Sequence, residues 1–278
     1  SWSASLGLNY TYGRGYYEEF NDSGSQTSFS YLGLIPLDIG NQIISETKNV
    51  TRKWLDNDYY VMTLSANYFK NKTRLDFGML FSKYIGDHFG TLIWGQNLGE
   101  VLPRNRFYEN QGDKKEINFF VKIQQPINER INSFIDFQYR NVNYDVYGQI
   151  AGPMLFNVES NYKFFNPKAG LTYQISDDQQ FYFSYSKAQR EPSRSDFENG
   201  NPKPEILNDF ELGWRINKNQ FYIYSNIYLM AYKDQLALTG ALDDVGTPIR
   251  ENIGESNRLG LEIEAMFNIL GKLSLPKN

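Results

Sequence analysis

Cysteine is absent from all 278 residues, which excludes a disulfide framework and any thiolate metal site. Histidine occurs once, at His88. A metal centre needs several converging ligands and a hydrolase needs a partnered nucleophile, so a lone imidazole establishes neither. No apolar run reaches the roughly 18 residues of a membrane helix. The net charge is -4, without the clustered basic surface that nucleic acid requires. No Pro/Ser-rich linker or composition break divides the chain, so residues 1–278 are expected to form one domain. The opening Ser1-Trp2-Ser3-Ala4 is already strand-like and has no basic, apolar leader, so no signal peptide is expected here.

What the chain does have is rings in alternation. Tyr and Phe number 21 and 20, yet the mean hydropathy is only -0.55; the aromatics are dispersed rather than gathered into apolar blocks. Tyr60, Met62, Leu64, Ala66 and Tyr68 interleave with Thr63, Ser65 and Asn67. After Lys70-Asn71-Lys72-Thr73 the pattern resumes with Leu75, Phe77, Met79 and Phe81. A period of two puts one set on each face of a strand. One continuously apolar face backed by a polar one suits a sheet with lipid outside and a polar lumen inside.

The pattern predicts strands near 2–12, 58–69, 73–85, 114–125, 130–144, 161–175, 180–190, 206–216, 221–238 and 258–269, with an eleventh from Lys272. Tight connections fall at 70–73, 125–129, 176–179, 217–220 and near 270–272, all with turn-forming residues. Long ones fall between them, at 13–57, 86–113, 145–160, 191–205 and 239–257. In a meander every second connection shares an end, so the long loops gather at one rim, the outer-membrane arrangement. A soluble β-sandwich would not segregate its loops this way and would use shorter strands. The fold class expected is therefore all-β, an antiparallel up-and-down transmembrane β-barrel. Leu64, Phe77, Ile135, Phe137, Leu212, Leu261 and Ile263 are expected to meet lipid, and Ser65, Asp136, Gln138, Glu211 and Glu262 the lumen. Asn166-Pro167, inside a good strand, predicts a bulge or a nitrogen turned off the ladder.

Candidate ligand contacts come from the loops and strand ends. Tyr16, Tyr17, Trp54, His88, Phe89 and Trp94 offer large contact area at low entropy cost, although the same rings could form a girdle or pack loops together. Asp56, Asp58 and Asp87, with Glu18 and Glu19, are rim carboxylates whose spacing matches no EF-hand, and Asp243-Asp244-Val245-Gly246 is no better; they are read as solvated charge, with loop calcium and direct ligand contact as the alternatives. Arg14, Arg140, Arg190 and Arg194 could attract anions or could pair with carboxylates such as Glu211 or Glu262. No catalytic residue, resident metal or cofactor is predicted. Gly13, Gly15, Gly86, Gly90, Gly95 and Gly99 lack the strand-turn-helix setting of a nucleotide loop and read as bends where strands leave the barrel.

Several segments together resemble TonB-dependent outer-membrane receptors of the Bacteroidetes type: Tyr10–Phe20 (YTYGRGYYEEF), Trp54–Tyr60, Tyr84–Gly90 with Trp94, Asp136–Arg140, Phe183–Pro192, Pro204-Glu205 with Glu211-Leu212-Gly213, and Asn252 with Leu259–Glu262. The resemblance covers nearly the whole chain. It implies a larger barrel of twenty-two strands around a plug, of which ten or eleven strands are legible here; the plug, its TonB box and the terminal strand are not seen. It further implies import of a scarce nutrient (iron-siderophore, haem, cobalamin or glycan) powered through a TonB complex, in contact with outer-membrane lipid and, in some members, a surface lipoprotein. A passive porin-like or structural barrel is the alternative, and a hydrolase using His88 a third reading.

Overall fold

The computed structural model describes residues 1–242 and 246–267. They form strands β1 (Trp2–Asn21), β2 (Leu37–Ile39), β3 (Gln42–Ile44), β4 (Asn49–Lys70), β5 (Thr73–Gly95), β6 (Arg106–Pro126), β7 (Ile131–Ala151), β8 (Met154–Leu155), β9 (Val158–Ser176), β10 (Gln179–Arg190), β11 (Glu205–Asn217), β12 (Phe221–Lys233), β13 (Leu236–Leu242), β14 (Pro248–Asn252) and β15 (Glu255–Phe267). One short helix, α1 (Arg194–Glu198), precedes β11. The wall is a single antiparallel sheet in the order β1-β4-β5-β6-β7-β9-β10-β11-β12-β15. No described helix is long and apolar enough to cross a membrane; here strands do the crossing. The eleventh strand expected from Lys272, the turn at 270–272 and residues 243–245 lie outside the described residues.

Register fixes the faces. Leu64 stands opposite Leu6 and Met79, with Ala66 beside Phe77 and Tyr60 beside Tyr10. The same face continues through Phe119 and Val121 to Phe137 and Ile135, then through Leu171 and Phe183 to Leu212, Ile227 and Leu261. All seven residues expected to meet lipid lie on it. Rings bound the band at both edges: Trp2 on Tyr68 and Phe181 on Trp214 on the turn side, Tyr10 on Tyr60 and Tyr185 on Phe210 on the loop side. Such girdles mark the two membrane interfaces. The opposite face carries Ser65, Asp136, Gln138, Glu211 and Glu262.

Lumen aromatics lie flat because neighbouring strands supply glycine. A methyl at Gly213 would overlap the Tyr182 ring, and one at Gly78 the Phe120 ring. With the wall so cleared, the Tyr182 hydroxyl reaches the Tyr224 hydroxyl at 2.7 Å, Asn226 at 2.9 Å and Glu211 at 3.2 Å.

The tight turns are as expected, with Asn71 and Lys72 both at positive φ in the two-residue turn that suits hairpin twist. The long connections are corrected. β1 runs to Asn21, β4 starts at Asn49, β5 ends at Gly95, β6 starts at Arg106 and β7 ends at Ala151, so the connections shrink to 22–48, 96–105 and 152–157. Above the lipid band both faces are wet, and period-two apolarity vanishes although the ladder continues. Gly13, Gly15, Gly86 and Gly90 therefore sit inside paired strands, not at bends. The single strand expected over 221–238 is also broken: Asp234, at φ 52, separates β12 from β13.

Pro167 stays in register opposite Phe137 without a bulge. The β9–β10 ladder, however, stops at Lys168–Ser186. The missing donor thus falls where the ladder has ended, the second of the two expectations. Two residues on, the Phe165 N–H donates to the Gln189 side chain at 3.1 Å.

The buried apolar cluster sits at the outer end. Leu32, Leu92 and Phe107 pack with Tyr31, Leu34, Leu98, Val101 and Tyr108, folding the 22–48 connection down onto β5 and β6. Asn49, fully buried, donates to the carbonyls of Gln26 and Thr47 and accepts from Asn21, so that connection is anchored at its base.

Candidate functional site

The connection 191–204 turns inward instead of outward. Glu191, just past β10, takes both Lys114 Nζ (2.9 Å) and Arg140 Nη2 (3.2 Å) on one oxygen, while Arg140 Nε donates to Glu116 at 2.8 Å. Lys114, Glu116 and Arg140 are lumen-facing on β6 and β7, so the strap crosses the inner surface of β9 to reach them. Burial pushes the Glu191 carboxyl up, but Lys114 and Arg140 outweigh it and hold the group below its usual range. Ser193 and Asp196 cap α1 reciprocally. Beyond that cap, Arg194 donates to Asn110 at 3.0 Å, its guanidinium lies over Phe156, and Phe197 packs on Tyr144. Val142 and Val146 on the same face of β7 are fully buried.

A second connection joins the first. Asn252, closing β14, accepts from Lys203 N at 2.7 Å and donates to the carbonyls of Lys203 and Asp234; Glu205 accepts from Leu236 N at 2.8 Å. The 191–204 connection is thereby tied to the start of β13 and the end of β14, and its inward end lies at the mouth.

Of the residues singled out from sequence, three stand on the lumen face: His88, Tyr17 and Arg190. His88 is on β5 beside Asn110 of β6. Tyr17 lies under Lys53 Nζ, which bridges to Glu19 at 3.0 Å. Arg190 pairs with Glu205 at 3.6 Å where β10 meets β11. Six others share the outward face above the lipid band, three of them packed on one another and three paired with neighbouring strand residues. Trp54 stacks between Tyr16 and Phe89, with Arg14 over its ring. Asp56 pairs with Arg14, Asp58 accepts from the Tyr10 hydroxyl, and Asp87 accepts from Gln111. Trp94, half-exposed, pairs opposite Val50 at the rim. The arginines have partners other than Glu211 or Glu262: Asp56, Glu116 with Glu191, Glu205, and Glu198. Sequence reasoning passed over Glu191, Lys114, Glu116 and Asn110. Lys114 and Glu116 lie on lumen-side positions of an expected strand, Asn110 lies on a stretch of β6 read as loop, and Glu191 falls in a connection, so polarity is their only signal.

His88 lies above the lipid band. Burial, then the Arg194 charge, lower its pKa to about 4 against a weaker opposing effect of Asp87. A depressed histidine contributes stability fully above its unfolded value near 6.5, lost as pH falls toward 4. An NMR titration of the full-length receptor should show no His88 transition between pH 5.5 and 8; one near 6.5 would refute the packed arrangement. Among the described residues no cluster of three metal-ligating side chains forms, and His88 has no hydrogen-bonded hydroxyl.

Two outer-rim clefts of about 640 and 630 Å³ meet at Arg106 and Gln149. The first runs under the 22–48 connection past Phe29, Leu34 and Phe107; the second borders His88, Glu109 and Tyr147.

A tall wall with an apolar band on its outer face and one connection folded against its inner face defines the wall of an outer-membrane β-barrel. The chain belongs to the TonB-dependent receptor-like β-barrel family, whose family model matches residues 1–275, and such barrels reside in the bacterial outer membrane. Comparison with curated proteins gives no match. Among solved structures the chain is similar to the copper transporter OprC (13% identity, TM-score 0.67, 96% of this chain and 40% of that one). It is also similar to the unliganded ferric citrate transporter FecA (12%, 0.58, 95% and 36%). A third is the ferripyoverdine receptor of Pseudomonas aeruginosa bound to ferripyoverdine (11%, 0.55, 97% and 36%). At these identities the likeness concerns the fold, and the chain spans about two fifths of their length.

Proposed function

We propose that residues 1–278 form one partial outer-membrane β-barrel domain, part of a receptor of the Bacteroidetes type that imports a scarce nutrient and draws its energy through a TonB complex. The observation that carries this reading is the strap. The connection latched by Glu191 to β6 and β7, and clipped to its neighbour by Asn252, narrows the mouth in the way a receptor that holds its ligand before passage requires. Solved relatives in fold are described as a copper transporter, a ferric citrate transporter and a ferripyoverdine receptor, which favours a chelated metal as the cargo class, with haem, cobalamin and glycans as the other candidates. None of these descriptions is of an enzyme.

Tyr17 and His88 reach the ligand from the lumen side with Arg194; Arg190 stands at the base of the strap. Tyr16, Trp54, Asp56, Asp58, Asp87, Phe89 and Trp94 flank the rim and meet a ligand outside the lumen. A surface lipoprotein would sit on the same rim. In the full-length protein in its host, uptake of ferric chelates, haem, cobalamin and oligosaccharides should fall at least tenfold when 194–199 is replaced by a short Gly/Ser linker. It should cease when the inner-membrane energy source is abolished. Uptake surviving both changes would instead favour the passive porin.

A further inference from the structure

Just beyond the apolar band, several strands carry an outward-facing charge that the pore does not use. On β5 the outward series Leu75, Phe77, Met79, Phe81 is followed by Lys83, and on β6 Ile123, Val121, Phe119, Ile117 is followed by Lys115. On β9 the residue outward of Phe165 is Lys163, and on β10 the residue outward of Tyr185 is Lys187. Four strands thus place lysine at the first position beyond the apolar band on the loop side. At the other edge of the band the same strands carry Thr73, Gln125, Ile175 and Gln179.

Lys83 and Lys115 stand directly opposite each other, a pairing that is unfavourable without a counter-charge. Asp113 serves both, at 3.9 and 3.5 Å, and one carboxylate leaves a net positive charge. Lys163 faces Asn141 and Lys187 faces Asn208; neither has an ion pair among the described residues. A lysine stem lies easily along the edge of an apolar band with its ammonium lifted to the interface. That is the depth at which lipid phosphates lie.

We propose that Lys83, Lys115, Lys163 and Lys187 form a docking belt for the phosphate groups of outer-leaflet lipid headgroups, seating the barrel in a negatively charged lipid surface. Charge complementarity and depth select this occupant: the belt faces away from the lumen, so no imported solute passes it, and it stands one position high, with Asp113 and Glu159 already among the outward residues farther out.

The test uses the full-length receptor in vesicles of phosphatidylcholine containing about a fifth phosphatidylglycerol, with native mass spectrometry counting the anionic lipid carried out by the protein. The wild type should retain phosphatidylglycerol in preference to phosphatidylcholine, and the preference should weaken with added salt. Near a membrane each lysine is worth about fivefold in affinity for anionic lipid, so K83Q/K115Q should reduce the preference by about twenty- to thirtyfold, while the lumen-facing K168Q leaves it intact. Single K163Q and K187Q variants, about fivefold each, keep the proposal testable should the pair fail to fold. An unchanged preference in K83Q/K115Q, an equal loss in K168Q, or complete displacement of the lipid by an equal concentration of inorganic phosphate would overturn it.

Discussion

Leu64→Arg in the full-length barrel, folded in vesicles and followed by urea unfolding, should lower stability by roughly 2–4 kcal/mol, while Ser65→Arg changes it by well under 1 kcal/mol. The two positions are adjacent in sequence. Leu64 sits in the middle of the lipid band between Leu6 and Met79, whereas Ser65 points into the lumen and shares a 2.7 Å hydroxyl contact with Ser5. A guanidinium at position 64 must be dragged toward one interface, and at position 65 it remains wet. Equal costs would mean that the register is displaced by one residue, because a single slip exchanges the faces of an entire strand.

Arg140→Ala should release the strap. The Arg140, Glu116 and Glu191 side chains are only 18%, 16% and 11% exposed, and deleting the cation leaves two carboxylates close together with Lys114 alone to oppose them. Removing one partner of a buried charge group costs more than the pair contributes, about 2–4 kcal/mol at this degree of burial. Glu191→Gln should cost less, since Glu116 still holds Arg140. Hydrogen exchange of the full-length protein should show amides of 193–199 losing protection in Arg140→Ala while those of 75–81 keep theirs. Unaltered protection at 193–199 would mean that Arg194–Asn110 and Phe197–Tyr144 hold the strap without the latch.

The legibility of this fold in its sequence follows the solvent. Between Tyr60 and Tyr68, or Leu75 and Phe81, lipid on one side and water on the other write a two-residue period, and strand, face and register could all be read. Four or five residues farther out, Arg14 pairs with Asp56 and Gly86 with Gly112 on a wall wet on both sides; hydrogen bonding continues there without any apolar signature. That is why strands were expected to stop near Tyr12 and Ile85. The candidate residues inherited the same error of place. Trp54, Phe89 and Tyr16 were chosen as loop aromatics but are stacked strand residues on the outward face. The latch at Glu191 was invisible because it depends on two strands and a connection that sequence distance separates widely.

Pro167 gives the wall a mechanical joint. From the turn at 177–178 up to Lys168 the sheet is continuous, but above it β9 stays with β7 while β10 departs with β11. The outer half of the wall is consequently two panels that share a rigid lower seam and part like the leaves of a folding screen. Parting the leaves along the free seam breaks the contact from Gln189 to Phe165, the latch that Glu191 throws from one leaf to the other, and the contacts of Arg194 with Asn110 and of Phe197 with Tyr144. The two leaves are thus held across a free seam by the side chains of one inward connection, and not by the backbone ladder that joins their neighbours.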